Sequence, residues 1–569
     1  MSASLILLFN NSINFQFLES PKACKIRPTV VLKSGLIVVG TVNQTDNNLN
    51  YYSFRGIPFA KPPIGKRRFK APSSMSKNLT GIIIDASQDV PRCVEFILEP
   101  RDSEDCLYLN VYTPELKRHL PVIVWIHGGG FMYGGNDYYT YDPEYLIQEK
   151  IVVVTINYRL GIFGFLSTED NESPGNYGLR DQVLALRWVR KNISRFGGNK
   201  LKITIFGESA GAASASYLSQ SSIKKELFQG AIFNSGNCLT LWSLTRNPKS
   251  IAYEIGAKLG INLTSTKTLV KGLREVDYRT LAIAQIDGSA QVYTQTVYST
   301  LILDVSIFKH AKDILKGMPF GPTVETLNSK TIVTNQSHEN LRNGHFRRIP
   351  YLMGYNSEEG AFFDNVVKFI PLLLLGYKQL YKLLPPESLN IKDDTSKADA
   401  YDVIKNYYFN PIITSKKFMK YISDDMFNRP INEAALLYSQ FSPVYLYEFS
   451  YFGKLGSKSK SIPGVSHTDE LNYIFKRTSK KQPSSSDLLT VKRMARLWSN
   501  FAKTGNPTPT IDPLLENVTW ERANKRKSHN LNYLSIDKSL VMKVNPKWDA
   551  YIFWKSLFSI YGKPPYGTY

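Results

Sequence analysis

The stretch Ile203-Thr204-Ile205-Phe206-Gly207-Glu208-Ser209-Ala210-Gly211-Ala212-Ala213-Ser214-Ala215 decides how the rest of the chain reads. Residues 203–206 are apolar or β-branched without alternation, the composition of a strand buried on both faces. Residues 210–215 are small and compatible with a helix. Between them Ser209 stands in the spacing G-x-S-x-G, with Gly207 and Gly211 two residues to either side. A strand-to-helix turn that exposes a serine at its tip is so tight that both flanking positions must be small. The pattern alone recurs by chance. Placed between a strand and a helix, it marks Ser209 as a nucleophile.

Working outward, two further apolar runs occupy residues 122–126 and 151–156. Between the second of these and residues 203–206, Val183, Leu186 and Val189, with Leu184 and Trp188, recur at helical spacing. Strand, helix, strand is the repeating unit of a parallel sheet. The expected fold class is therefore α/β, with a large mixed, mostly parallel sheet flanked by helices. Residues 29–32 and 36–39 bracket Ser34-Gly35 as a hairpin. Residues from about 245 to 345 read as helical and mixed, an insertion over the sheet, and Ser484-Ser485-Ser486 as a short loop. No repeat or linker divides the chain. One domain is expected over 28–556, preceded by an N-terminal segment, 1–27, and followed by a C-terminal tail, 557–569.

A serine hydroxyl needs a base, an acid that orients the base, and donors for an oxyanion. His127-Gly128-Gly129-Gly130-Phe131 directly follows the run at 122–126. Glycines there let backbone N–H groups point inward, and the residue after the nucleophile, Ala210, supplies another donor. In a fold built on such an elbow the chain order is serine, acid, histidine. Of seven histidines, only His467 and His529 follow a suitable acid. His467 lies on a Gly/Ser loop, residues 463–470, and is the favoured base; His529 sits in a basic polar stretch. His119, His310, His338 and His345 precede or flank other elements. The run Tyr351-Leu352-Met353-Gly354-Tyr355-Asn356 reads as a strand and is followed by Ser357-Glu358-Glu359-Gly360. Either glutamate could face the histidine, and spacing does not choose between them.

The 569 residues are 43% hydrophobic and 21% charged, with a formal net charge of +22. The basic residues fall in loop-like patches, at 454–460, 476–481 and 522–527, and no nucleic-acid module accompanies them. They read as a solvated basic surface. The apolar stretch at residues 5–9 is short for a secretory signal, and no basic residue precedes Lys22. No apolar run approaches a membrane span; residues 370–375 are the longest. Of four cysteines, Cys93 and Cys106 would close a short loop, worth about 3 kcal/mol. Cys24 and Cys238 have no evident partner. Eight N-x-S/T sequons, from Asn10 to Asn517, lean towards secretion. The weak leader leaves the cytoplasm open.

These motifs resemble the type-B carboxylesterase and cholinesterase family of α/β-hydrolases, most closely its insect α-esterase branch. The resemblance runs from about residue 28 to 554. It includes Phe54-Arg55-Gly56-Ile57-Pro58, Ser103-Glu104-Asp105-Cys106-Leu107-Tyr108-Leu109-Asn110, Asn157-Tyr158-Arg159-Leu160-Gly161 and Trp498-Ser499-Asn500-Phe501 through Pro507. It implies a serine carboxylesterase with Ser209 as nucleophile, Glu359 as acid and His467 as base. It also implies Gly129, Gly130 and Ala210 as oxyanion donors, and a small-molecule ester as substrate, with no cofactor or metal. Trp242 and Phe131 are expected at the substrate pocket, with Glu208 and Ser235 beside the triad. The family pattern adds a Cys93–Cys106 disulfide and ion pairs of Arg55 with Glu104 and of Arg159 with Asp181.

The chain also departs from the family. The loop between Cys93 and Cys106 is short and lacks the tryptophan with which cholinesterases bind choline, so cation–π recognition of quaternary ammonium loses its support. Juvenile-hormone esterases typically carry Gln where this chain has Glu208. Relatives that serve only in adhesion lose triad members, and this chain keeps all three. A slow, ester-sequestering member, or a binding protein on the same scaffold, stands as the alternative.

Overall fold

The three apolar runs become neighbouring strands. In the computed structural model the described residues are 27–96, 98–221, 226–285, 317–325, 331–364, 384–457, 462–477, 481–524 and 530–569. His310, His529, Cys24, residues 370–375 and part of the basic stretch at 454–460 lie outside them.

Sixteen strands are described. They are β1 (Thr29–Val31), β2 (Ile37–Val39), β3 (Thr41–Gln44), β4 (Asn50–Pro58), β5 (Ile83–Asp85), β6 (Arg92–Cys93), β7 (Asp102–Ser103) and β8 (Tyr108–Thr113). Then come β9 (Leu120–Ile126), β10 (Val152–Ile156), β11 (Gly198–Glu208), β12 (Gly230–Asn234), β13 (Tyr351–Asn356), β14 (Val444–Phe449), β15 (Asn532–Ile536) and β16 (Leu540–Val544). The main sheet runs in the order β16-β15-β14-β13-β12-β11-β9-β10-β8-β4-β3. It is parallel from β10 to β15 and antiparallel at both margins. The hairpin at residues 29–39 forms as expected, with Val30 opposite Val38.

Continuous apolarity in the central strands has a direct cause, which is that the sheet separates two cores. Val122, Val124 and Ile126 face one core with Val154 and Ile205. Ile123 and Trp125 face the other with Val153 and Phe206. The helix Tyr177–Asn192 lays Val183, Leu186 and Val189 into the first core. The helix Ser485–Thr504 lays Met494, Leu497, Trp498 and Phe501 into the second. The region after residue 245 is mixed where described: it forms helices at Pro248–Lys258, Thr266–Glu275, Tyr278–Ala284 and Ser337–Arg342, with irregular segments at 317–325 and 331–336.

Three expectations change. Ser484 is a helix N-cap rather than part of a loop: its side chain accepts from the Asp487 N–H, and Asp487 reciprocates. Arg55 does not pair with Glu104. It faces Asp89 at 3.3 Å, while Arg68 grips Glu104 through two parallel bonds, Nε to Oε1 at 2.6 Å and Nη2 to Oε2 at 2.5 Å. The guanidinium fork favours that bidentate geometry. Thirdly, the boundary at 556 falls inside the helix Trp548–Tyr561, and the residues beyond it fold back, with Thr568 and Tyr569 buried. The pair Arg159–Asp181 forms as expected, almost wholly buried, at 2.7 Å. Cys93 and Cys106 are joined by a disulfide. Among the described residues no helix is long and apolar enough to cross a membrane.

Candidate active site

β11 ends at Glu208, and the chain turns at Ser209 into the helix Ala210–Gln220. Ser209 has φ 54° and ψ −122°, a strained conformation for any residue with a side chain. Its N–H is fixed to Asn234 O at 2.9 Å, at the end of β12. A Cβ on Gly211 would collide with the carbonyl of Ile126, and one on Gly207 with the backbone of Gly211. This steric demand is the one read from the sequence.

The glycine loop follows β9. Gly129 and Gly130 have φ +100° and +58°. A Cβ on Gly128 would sit 3.1 Å from Ser209 Cβ, so the loop runs directly past the serine. Among the described residues the N–H groups of Gly129, Gly130 and Ala210 have no acceptor. His127 is buried, stacked on Tyr158 with centroids 4.4 Å apart, and pushed down to about 4 by burial. It is a neutral structural imidazole. The Phe131 ring, expected at the pocket, is fully buried and meets Phe165 with centroids 5.3 Å apart.

β13 ends at Asn356, and Glu359 opens a short 3₁₀ turn beyond it. Its Oε2 lies 2.6 Å from His467 Nδ1. Its Oε1 accepts from Ser235 Oγ at 2.6 Å and from the Asn356 N–H at 2.7 Å. Glu358 points elsewhere, against Gly464, and its carboxyl is pushed up by burial, an effect that the Lys547 charge opposes. Geometry thus selects the glutamate that spacing could not. The loop bearing His467 is tied to the one bearing Glu359: the Glu358 N–H donates to Val465 O at 2.9 Å, and Asn356 Nδ2 to Ser466 O at 2.8 Å.

His467 Nε2 lies 3.1 Å from Glu208 Oε1. Among the described residues Ser209 Oγ has no hydrogen-bond partner, so the imidazole faces the neighbouring carboxylate instead. Catalytic hydrogen bonds often tighten only when substrate is present. Burial would lower the imidazole, but the charges of Glu208, Glu359 and Glu470 outweigh it and raise His467 to about 9. Glu208 is pushed up to about 8, chiefly by burial. Glu470, held by Asn356 Nδ2 at 2.6 Å, is pushed up to about 7 for the same reason.

An aromatic wall stands beside these groups. Phe427 lies 4.8 Å from the His467 ring and 5.9 Å from Trp242, centroid to centroid. Trp242 Nε1 donates to Met426 O at 3.2 Å. Half-exposed Phe362 meets His467 from another side, at 5.5 Å. The sequence reading missed Phe427, Phe362 and Glu470. The position of Glu470, three residues after His467, was the only available signal. Cys238 is buried and free, its thiol pushed up to about 12 by burial.

A mostly parallel sheet with a strained serine elbow after β11, an acid after β13 and a histidine after β14 defines an α/β-hydrolase. Residues 27–554 match the sequence model of the carboxylesterase family. Juvenile hormone esterase of Tribolium castaneum is 32% identical over 563 residues, covering 92% of this chain and 91% of its own. Venom carboxylesterase-6 of Apis mellifera is 31% identical over 594 residues, covering 98% of each. The crystal structure of juvenile hormone esterase from Manduca sexta, with OTFP covalently attached, superposes with a TM-score of 0.79 at 27% identity. That match covers 94% of this chain and 100% of the other. The chain belongs to the carboxylesterase family and is a carboxylic ester hydrolase.

Proposed function

We propose that Ser209, His467 and Glu359 form the reacting triad of a broad-specificity carboxylesterase that hydrolyses neutral, apolar esters, in detoxification or in lipid and xenobiotic turnover. Ser209 Oγ attacks the ester carbonyl carbon as His467 Nε2 takes its proton. The tetrahedral oxyanion is met by the N–H groups of Gly129, Gly130 and Ala210. The C–O bond to the alcohol breaks, and the alcohol leaves with the proton from His467. Water then attacks the acyl-Ser209 ester by the same route and releases the acid. Glu359 holds the proton on Nδ1, so that Nε2 is the lone-pair face.

The observation that carries this reading is the 2.6 Å bond of His467 Nδ1 to Glu359, beside an elbow whose proposed oxyanion donors have no acceptor among the described residues. The apolar wall of Trp242 and Phe427 supports an uncharged acyl group. The disulfide supports an oxidising, secretory compartment. Burst kinetics with a p-nitrophenyl ester test the triad. Wild type should release one nitrophenolate per site before steady state, and Ser209→Ala should release none. Equal turnover by both would overturn the reading.

A further inference from the structure

The aromatic wall is carried by two segments far apart in sequence, and a third segment bridges them. Trp242 sits in residues 239–246, and Phe427 in the π-turn Asp424–Asn428. Residues 566–569 touch both.

On the first side, the Tyr569 N–H donates to Leu239 O at 2.9 Å. Arg246 acts as a staple. Its Nη2 donates to Thr568 Oγ1 at 2.5 Å, while Nη1 donates to Leu241 O and Leu244 O at 3.1 and 3.2 Å. Those two carbonyls flank Trp242. Next to Arg246, Thr245 Oγ1 donates to Met318 O at 3.0 Å, and the Met318 side chain lies over Gly130. On the second side, the Tyr569 ring packs against the Arg429 guanidinium at 5.9 Å. Arg429 holds Asp425 Oδ1 at 2.5 Å, inside the π-turn that presents Phe427 to His467 and Met426 O to Trp242. His338 stacks on the same ring at 4.4 Å and is anchored to Glu433, in the helix that begins at Arg429. Thr568 is 1% and Tyr569 7% exposed, so the segment is part of the packing rather than laid on it.

We propose that residues 566–569 are positioning residues for acyl specificity. They lock the Trp242 segment against the Phe427 π-turn and so set how closely the wall approaches the acyl group on Ser209. This inference rests on the triad reading above, because the wall acts on the acyl chain only if Ser209 carries it. A buried aromatic wall discriminates by fit, and packed interiors tolerate little displacement. Releasing the lock relaxes the wall outward, which relieves long acyl groups and leaves short ones poorly held.

The test uses the full chain, a chain shortened to end at Lys563, and the point variants Thr568→Val and Tyr569→Ala. kcat and KM are measured for p-nitrophenyl acetate, butyrate and octanoate, with near-UV circular dichroism and thermal unfolding on each protein. In the shortened chain the octanoate-to-acetate ratio of kcat/KM should rise about tenfold, the discrimination a hydrophobic pocket makes over one methylene, with the change mainly in KM. Thr568→Val and Tyr569→Ala should each move the ratio in the same direction by less. A folded variant whose ratio stays within twofold of wild type would overturn the proposal. So would a loss equal for all three esters, which is what a merely structural role gives. If the shortened chain does not fold, the two point variants decide by the same ratio. Failure of the triad reading would show separately, as turnover surviving in Ser209→Ala.

Discussion

Glu208→Gln isolates the contact that most distinguishes this site. The Glu208 carboxylate lies 3.1 Å from the imidazole nitrogen that accepts the serine proton in the proposed mechanism. His467 stands near 9 instead of its usual 6.5, although burial alone would push it down. At about 1.4 kcal/mol per pH unit, that displacement is worth about 3 kcal/mol in favour of the protonated imidazole. Burial opposes it, and the charges of Glu208, Glu359 and Glu470 and the Glu359 hydrogen bond drive it. Glu208 contributes the largest of the four.

The sign follows from the chemistry. A protonated His467 cannot take the Ser209 proton, so kcat/KM rises with pH as the imidazole loses its proton. Removing the Glu208 charge lowers the imidazole and moves that acid limb to lower pH. The amide keeps the shape of the side chain. The assay is kcat/KM for p-nitrophenyl butyrate from about pH 5 to about pH 10 in wild type and Glu208→Gln, read as the position of the limb rather than the height of the plateau. Wild type should show its acid limb above the ordinary imidazole value, and the variant should show it at lower pH. A limb that stays in place, or moves up, would refute the assignment of Glu208 as the charge that holds the His467 proton.

Two further outcomes follow from the same geometry. Ser235→Ala removes one of two donors to Glu359 Oε1 and should lower kcat about tenfold, the worth of a hydrogen bond to a buried charge, with KM little changed. Stability should fall as pH rises from about 6.5 to about 9, because folded His467 binds a proton that the unfolded chain has released. Glu208, raised from 4.5 to about 8, acts in the same direction, so thermal midpoints of wild type should decline over this range more than those of Glu208→Gln.

What was legible in the sequence is what short-range physics dictates. The elbow could be read because Gly207 and Gly211 are demanded by backbone within a few residues or on the adjacent strand. The central strands could be read because burial on two faces leaves no polar alternation. What failed depends on where distant segments meet. The family pattern pairs Arg55 with Glu104, and only the path of the chain after β4 decides that Arg68 takes it instead. Glu358 and Glu359 differ by one position, and the turn after β13 decides which faces His467. Phe427 is brought to the histidine by a π-turn whose sequence, Asp424 to Asn428, carries no catalytic pattern. The same holds for Tyr569, which reads as part of a tail and packs as core.

The backbone around the site shows why local sequence could not specify it. Phe131, Ser209, Ser235 and Thr468 all have positive φ, between 53° and 73°. Such conformations cost of order 1–3 kcal/mol each and persist only where surrounding structure imposes them. Glycine would relieve each one. At Ser209 and Ser235 that relief would remove a hydroxyl, in one case the proposed nucleophile and in the other the donor to Glu359. At Phe131 it would remove the ring that packs on Phe165 next to the glycine loop. Phe131, Ser209, Ser235 and Thr468 follow β9, β11, β12 and β14, neighbours in one sheet whose ends bring these residues together. A side chain that must point in one direction from a backbone that resists it is held more rigidly than one on a relaxed turn. The sheet therefore supplies both the strain and the precision, and the site's donors need no reorganisation when an ester arrives.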